Sequence, residues 1–225
     1  MSSKLREAWT TIIQAKDYEA HMAALGQAQA NAELVAEYLA SQPPGEDASL
    51  LFLGAGTGQM FEFVSPTILL LYQTTFGDIN ASYLECLGKR LRGVKGLRYT
   101  TVVDDVEKTR LTPGFHTVLA VLLLEHVDWR KAVSTIAGLA AERALVVIQE
   151  NPATLATAIA RTRELSGTMK IFMEVHPDLI PREELTAEFA RHGFKPSYSA
   201  EKIVADNKKM LAFGFARFVA HPGNL

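Results

Sequence analysis

An apolar run that breaks straight into glycines, Leu50-Leu51-Phe52-Leu53-Gly54-Ala55-Gly56-Thr57-Gly58, constrains this chain more than any other segment. Four consecutive apolar residues read as a short buried strand, and the glycines follow without a spacer. Glycine lacks a Cβ, so such a backbone turns tightly and lets a ligand approach closely. A strand passing through this turn into a helix would present unpaired backbone N–H groups to a small ligand. The spacing is G-x-G-x-G. Gln59 stands where the dinucleotide fingerprint G-x-G-x-x-G requires its third glycine.

Further apolar runs also stop at polar residues. Tyr72–Asp78 predicts a second strand ending in an acid, and Leu97–Val103 a third ending in Asp104 and Asp105. Thr117–Leu124 predicts a fourth, running into Glu125-His126-Val127-Asp128-Trp129, and Ala144–Ile148 a fifth, ending in Gln149-Glu150-Asn151. Ligands of open α/β sheets lie at such carboxyl ends of strands. An acid closing the strand beside the glycine turn can accept hydrogen bonds from both hydroxyls of a ribose.

In this order, Gly54-Ala55-Gly56-Thr57-Gly58, Asp78-Ile79-Asn80, Asp105 and Leu124-Glu125-His126-Val127 resemble class I S-adenosylmethionine-dependent methyltransferases over about residues 48–220. The resemblance implies a Rossmann-like α/β fold: an open, mostly parallel seven-stranded sheet, helices on both faces, and a C-terminal antiparallel hairpin. It implies S-adenosyl-L-methionine as cofactor and a small-molecule methyl acceptor. Carried over position by position, Gly54, Ala55, Gly56 and Gly58 would lie under the methionine part, and Asp78 with Ile79 would hold the ribose. Asp104 or Asp105, with Val106, would flank adenine. Leu123, Leu124 and the Glu125-His126 segment would line the cofactor beside its methyl group. Asp105 is the favoured acid, because strand alternation sends the adjacent pair opposite ways and Val106 follows as in the family pattern. Removing Asp78 is expected to weaken the cofactor while leaving fold stability nearly unchanged. Two positions depart from the pattern. Phe52 stands where the family usually carries an acid, and His116 where an acid often starts the fourth strand.

Composition and organisation agree with this reading. The chain has 225 residues, 48% of them apolar, enough for the core of one α/β domain. Its 23 basic and 25 acidic residues nearly cancel, without a basic–aromatic stripe, so a nucleic-acid partner is not expected. Val118–Leu124 is far too short to span a bilayer, and Met1–Glu7 carries no apolar secretion core, so no membrane partner and a cytoplasmic location are expected. The single Cys86 excludes an internal disulfide. No metal is expected, and self-association into a homo-oligomer is left open. Residues 1–45 are expected to form a helical segment, with 4–41 reading as helical, that lids a methyltransferase domain of residues 46–225. Helices are also expected over Ser82–Arg92, Arg130–Ala141, Ala153–Leu165 and from Pro181 to His192-Gly193. Extended segments Ser197–Val204 and Met210–Val219, around the polar Ala205–Lys209, predict the hairpin.

Methyl transfer from a sulfonium needs mainly alignment, and a base only where the acceptor must lose a proton. The N-P-P-Y type motif of amide methylation is absent after the fourth strand, and Cys86 sits on a helix away from the strand ends. His126, at the ligand edge, is a candidate base or a histidine that packs beside the cofactor. Tyr18 and His21, three apart and on one helical face, are candidates to touch the acceptor or to make a helix contact. Trp9 reads as core or lid. Glu174 and His176 are candidates for a second pocket wall, and Lys208 and Lys209 for solvated hairpin charges. Two other classes are weighed beside the methyltransferase: a nicotinamide-dependent oxidoreductase, opposed by Gln59 and the terminal hairpin, and a non-catalytic S-adenosylmethionine-binding protein, kept open by Phe52.

Overall fold

The computed structural model describes residues 3–152 and 165–218, so the helix expected over Ala153–Leu165 and the end of the last extended segment at Val219 lie outside the described residues. Strands β1 (Ser49–Leu53), β2 (Gln73–Asp78), β3 (Arg98–Val103), β4 (Phe115–Val121), β5 (Ala140–Glu150), β6 (Phe194–Ile203) and β7 (Lys209–Arg217) form one sheet, in the order β3-β2-β1-β4-β5-β7-β6. Strands β1 to β5 pair in parallel. β7 inserts antiparallel between β5 and β6, which makes the C-terminal hairpin expected from the sequence. The order reverses at β1/β4, and the carboxyl ends of β1, β2 and β4 open onto one crevice there.

Alternation along β1 divides the core. Leu51 and Leu53 pack with Val133 and Ile136 of α5 (Trp129–Leu139) and with Leu185 and Phe189 of α6 (Arg182–Arg191). Leu50 and Phe52 face the other way, against Leu34 and Tyr38 of α3 (Gln27–Ser41) and Leu84 and Leu87 of α4 (Ala81–Leu91). A strand buried on both faces has to be apolar where it is buried, as Leu50–Leu53 of β1 are. Each such side chain contributes roughly 1.5–3 kcal/mol. Phe189 and Phe215 stack with ring centres 4.0 Å apart on the α6 side.

Several expectations are corrected. The helical stretch expected over 4–41 is broken into three helices: α1 (Ser3–Glu7), which runs into a π-helical turn at Ala8–Ile12, α2 (Ala15–Ala24), and α3. Extended Ile13 and Gln14 separate the first two, and Gly26, at φ +69°, separates α2 from α3. The glycine bend leads into 3₁₀ turns at Gln59–Glu62 and Pro66–Leu69 rather than into an α-helix; Ser65-Pro66 interrupts any continuation. β4 stops at Val121, because Leu122 adopts a left-handed φ of +50° and donates its N–H to Val147 O at 2.8 Å. Lys209 pairs at the surface with Glu201 at 2.9 Å, but Lys208 is only 1% exposed, and burial pulls its ammonium down to about 8. Among the described residues no helix is long and apolar enough to cross a membrane.

Candidate functional site

The glycine bend and the end of β2 are tied together. Gly54, Gly56 and Gly58 take φ of +65°, +59° and +72°, a region that costs an L side chain about 1–2 kcal/mol. Space is as restrictive as conformation. A Cβ on Gly54 would lie 2.9 Å from Leu123 Cδ1, and one on Gly58 would lie 3.1 Å from Leu87 Cγ. Asp78, 8% exposed, accepts the Gly56 N–H on Oδ2 and the Asn80 N–H on Oδ1, both at 2.8 Å. Burial pushes its carboxyl up, and these backbone donors pull it back. Asn80 caps α4 by accepting from Ser82 N at 3.0 Å, and its Nδ2 donates to Trp9 O at 2.8 Å. The bend, β2, α4 and the N-terminal segment thus share one hydrogen-bond network.

Three adjoining hollows lie at these strand ends. The first, about 80 Å³, is lined by Gly54, Gly56, Asp78 and Ile79, by Asp104, Asp105 and Val106, and by Leu123 and His126. Trp9, Tyr18 and Tyr83 complete its lining. The second, about 60 Å³, is bounded by Glu125, His126, His21, Gln149, Met169 and Phe172. The third, also about 60 Å³, runs beside Ala55, Gly58, Gln59 and Phe52. Tyr18 borders all three.

The N-terminal segment is held over the first hollow by charge and ring contacts. Arg6 bonds to Asp105 and, at 3.1 Å, to Glu107. Trp9 packs edge-on to His126 at 4.7 Å and to Tyr18 at 5.6 Å. Asp17 of α2 accepts Thr168 N and Oγ1 at 2.8 and 2.7 Å, which fixes α2 to the stretch carrying Met169 and Phe172. The second hollow is electrically unusual. Glu125 Oε1 accepts Gln149 N at 2.7 Å while Oε2 has no partner, and burial pushes this carboxyl up to about 7. His126 Nδ1 is also unpartnered, and burial holds the ring neutral, down to about 3. Burial and Lys208 lower His21 as well.

No family model matches the chain, and no curated protein matches it in sequence. Solved structures match it in fold. Magnesium protoporphyrin IX methyltransferase from Synechocystis PCC 6803, with bound S-adenosylmethionine, superposes at a TM-score of 0.65 and 14% identity, over 86% of this chain and 80% of that one. An S-adenosylmethionine-dependent methyltransferase from Clostridium acetobutylicum ATCC 824 gives 0.61 at 11% identity, over 84% and 91%. N-methyltransferase NodS from Bradyrhizobium japonicum WM9, in complex with S-adenosylhomocysteine, gives 0.58 at 13%, over 83% and 85%. The fold is that of the class I S-adenosylmethionine-dependent methyltransferases.

Within the class I methyltransferase fold, most residues singled out from the sequence converge on the crevice. Gly54, Gly56, Asp78, Ile79, Asp104, Asp105, Val106, Leu123, His126 and Tyr18 all border the first hollow, and His21 borders the second. Ala55 and Gly58 border the third instead. Leu124 does not reach any of them: the 3₁₀ turn Leu124–His126 rotates it into the core, where it is fully buried near α5. Asp104 and Asp105 do not split by strand alternation, because β3 ends at Val103 and both lie beyond it, before the 3₁₀ turn Val106–Lys108. Asp104 accepts from Thr109 Oγ1 at 2.7 Å, and Asp105 from Glu107 N at 3.0 Å. Glu174 and His176 are exposed; the wall expected of them is made by Met169, Phe172 and Pro177.

The sequence reading missed Leu122, Val127, Gln149 and Tyr83, and left Trp9 undecided. Tyr83 carried a signal, lying on the apolar side of α4 three residues after its cap Asn80. Phe52, at the departed acid position, stacks on Phe76 at 5.2 Å within the core. His116 accepts from Ser49 N at 3.0 Å through Nδ1, a contact between β1 and β4 remote from the crevice.

Proposed function

We propose that the protein transfers a methyl group from S-adenosyl-L-methionine to a small-molecule acceptor. The carrying observation is Asp78, a buried carboxylate at the end of β2 that braces the glycine bend and borders the first hollow. A carboxylate offers about four acceptor sites, so two backbone donors leave capacity for ribose hydroxyls. The cofactor's shape is also served by the cradle. Gly54, Gly56 and Gly58 bring bare backbone to the crevice, and Asp104, Asp105 and Val106 form the flank that would take adenine.

When bound, the sulfonium supplies an activated methyl group; the chain's part is to bind, orient and exclude water. In this reading residues 1–45 act as the lid, with Trp9 and Tyr18 over the cofactor and Tyr18, His21 and His126 facing the acceptor. His126 serves as a neutral wall rather than a base, since burial leaves it no tendency to hold a proton near neutral pH. A pyrophosphate-binding oxidoreductase is poorly served here, because the glycine bend meets a 3₁₀ turn and not the start of an α-helix.

Calorimetry with S-adenosylmethionine and S-adenosylhomocysteine tests the proposal. Micromolar binding of either is expected. No heat from both at millimolar concentration removes it.

A further inference from the structure

The second hollow gives the acceptor a chemistry. Trp9, Tyr18, Met169 and Phe172 give it aromatic and apolar faces, and His21, His126, Gln27 and Gln149 add uncharged polar ones. One carboxyl group stands on that surface. Glu125 is 2% exposed, its Oε1 is fixed by Gln149 N, and its Oε2 lacks any partner. A buried carboxylate oxygen without a donor is costly unless a ligand provides one.

The groups facing Glu125 do not supply it. His126 on its own turn and His21 on α2 are both held neutral, and Tyr18 keeps its proton. Gln27 of α3 spends its Nε2 on Gln149 at 2.7 Å. Asp178 donates only its backbone N–H, to the Glu125 carbonyl at 2.8 Å. Lys208 acts on His21 and does not border the hollow. Among the described residues, none that lines the hollow would give an acceptor's carboxylate or phosphate a cation beside Glu125. A cation would meet both a carboxylate and aromatic faces, the two surfaces that favour ammonium groups.

Resting on the methyltransferase reading, we propose that the acceptor is an amine that binds with its nitrogen on Glu125 Oε2, and that Glu125 takes its proton. The ammonium N–H bond breaks and the proton passes to the carboxylate, which frees the nitrogen lone pair. That pair forms the N–C bond to the methyl carbon as the C–S bond breaks. The C–S electrons stay on sulfur, leaving a neutral thioether and a methylated ammonium.

The test is calorimetry on the S-adenosylhomocysteine-loaded protein with 2-phenylethylamine, tryptamine and cyclohexylmethylamine, each matched with its alcohol and carboxylate of like skeleton. At least one amine is expected to bind ten or more times tighter than its partners. In Glu125→Gln, whose side-chain carbonyl still accepts Gln149 N, amine affinity should fall at least tenfold with S-adenosylhomocysteine affinity unchanged. With S-adenosylmethionine present, methyl uptake by the bound amine should rise with pH through about 7 in the wild type and lose that step in the variant. Binding of no amine, an alcohol or carboxylate binding as tightly as its amine, or an unchanged Glu125→Gln overturns the proposal. Failure of S-adenosylhomocysteine to bind is a separate readout that defeats the methyltransferase reading, and the amine titration is then scored on the protein alone.

Discussion

Asp78 and Gly56, 22 residues apart in sequence, are joined by a 2.8 Å hydrogen bond from the Gly56 N–H to Asp78 Oδ2. This single contact fixes the distance between the bend after β1 and the acid at the end of β2. It also changes what removing the acid should do. Asp78→Ala should weaken S-adenosylmethionine by about 1–3 kcal/mol, the usual cost of unmaking charge-assisted hydrogen bonds. The sequence alone predicts little effect on stability. With both carboxylate oxygens serving backbone donors, a lower thermal midpoint is expected as well. Asp78→Asn, keeping one acceptor oxygen, should lose less of each; titration calorimetry and thermal unfolding read the two effects separately.

Gly54 has no room for a methyl group. Gly54→Ala forces a left-handed φ on an L residue and drives its Cβ to 2.9 Å from Leu123 Cδ1. The conformational part alone is worth about 1–2 kcal/mol, or roughly 2–8 °C of thermal midpoint. An unchanged midpoint in circular dichroism would mean that the bend adopts another conformation.

Glu125 should leave a mark on stability against pH. Its carboxyl is raised from 4.5 to about 7 by burial, so folding favours the protonated form. The corresponding stabilisation, about 3 kcal/mol, is complete below pH 4.5 and is lost as pH rises through about 7. His126 runs in the opposite sense, stabilising the fold at neutral pH and losing that as acid charges its ring. Denaturant unfolding from pH 4 to 8 on wild type and Glu125→Gln isolates the first: the difference between them should grow with pH and vanish if Glu125 titrates normally.

Arg6 clamps the N-terminal segment to Asp105 and Glu107 with its guanidinium about one-third exposed. Arg6→Ala should speed release of S-adenosylhomocysteine by about two- to fivefold, in keeping with the modest worth of a partly solvated ion pair. Added salt should act in the same direction on the wild type and hardly at all on the variant. Stopped-flow release at low and high salt gives both numbers.

The features legible in the sequence are those that the backbone itself demands. An apolar run, glycines without a spacer and a lone acid closing the next strand carry their geometry locally, and Gly54, Gly56 and Asp78 stand together as expected. Residues whose place depends on packing were not legible. Leu124 is as apolar as Leu123, and only the 3₁₀ turn decides which of them reaches the crevice. Lys208 looks like any turn lysine until Asp206 and Asn207, both left-handed, fold it inward. Trp9 and Glu125 acquire their positions from contacts with Asn80 and Gln149, remote in sequence.

A single phenol ring, that of Tyr18, is the partition common to all three hollows. Any guest that swings it aside on one side reshapes the room offered on the other. Occupancy of neighbouring chambers is therefore thermodynamically linked, and the linkage runs equally in both directions.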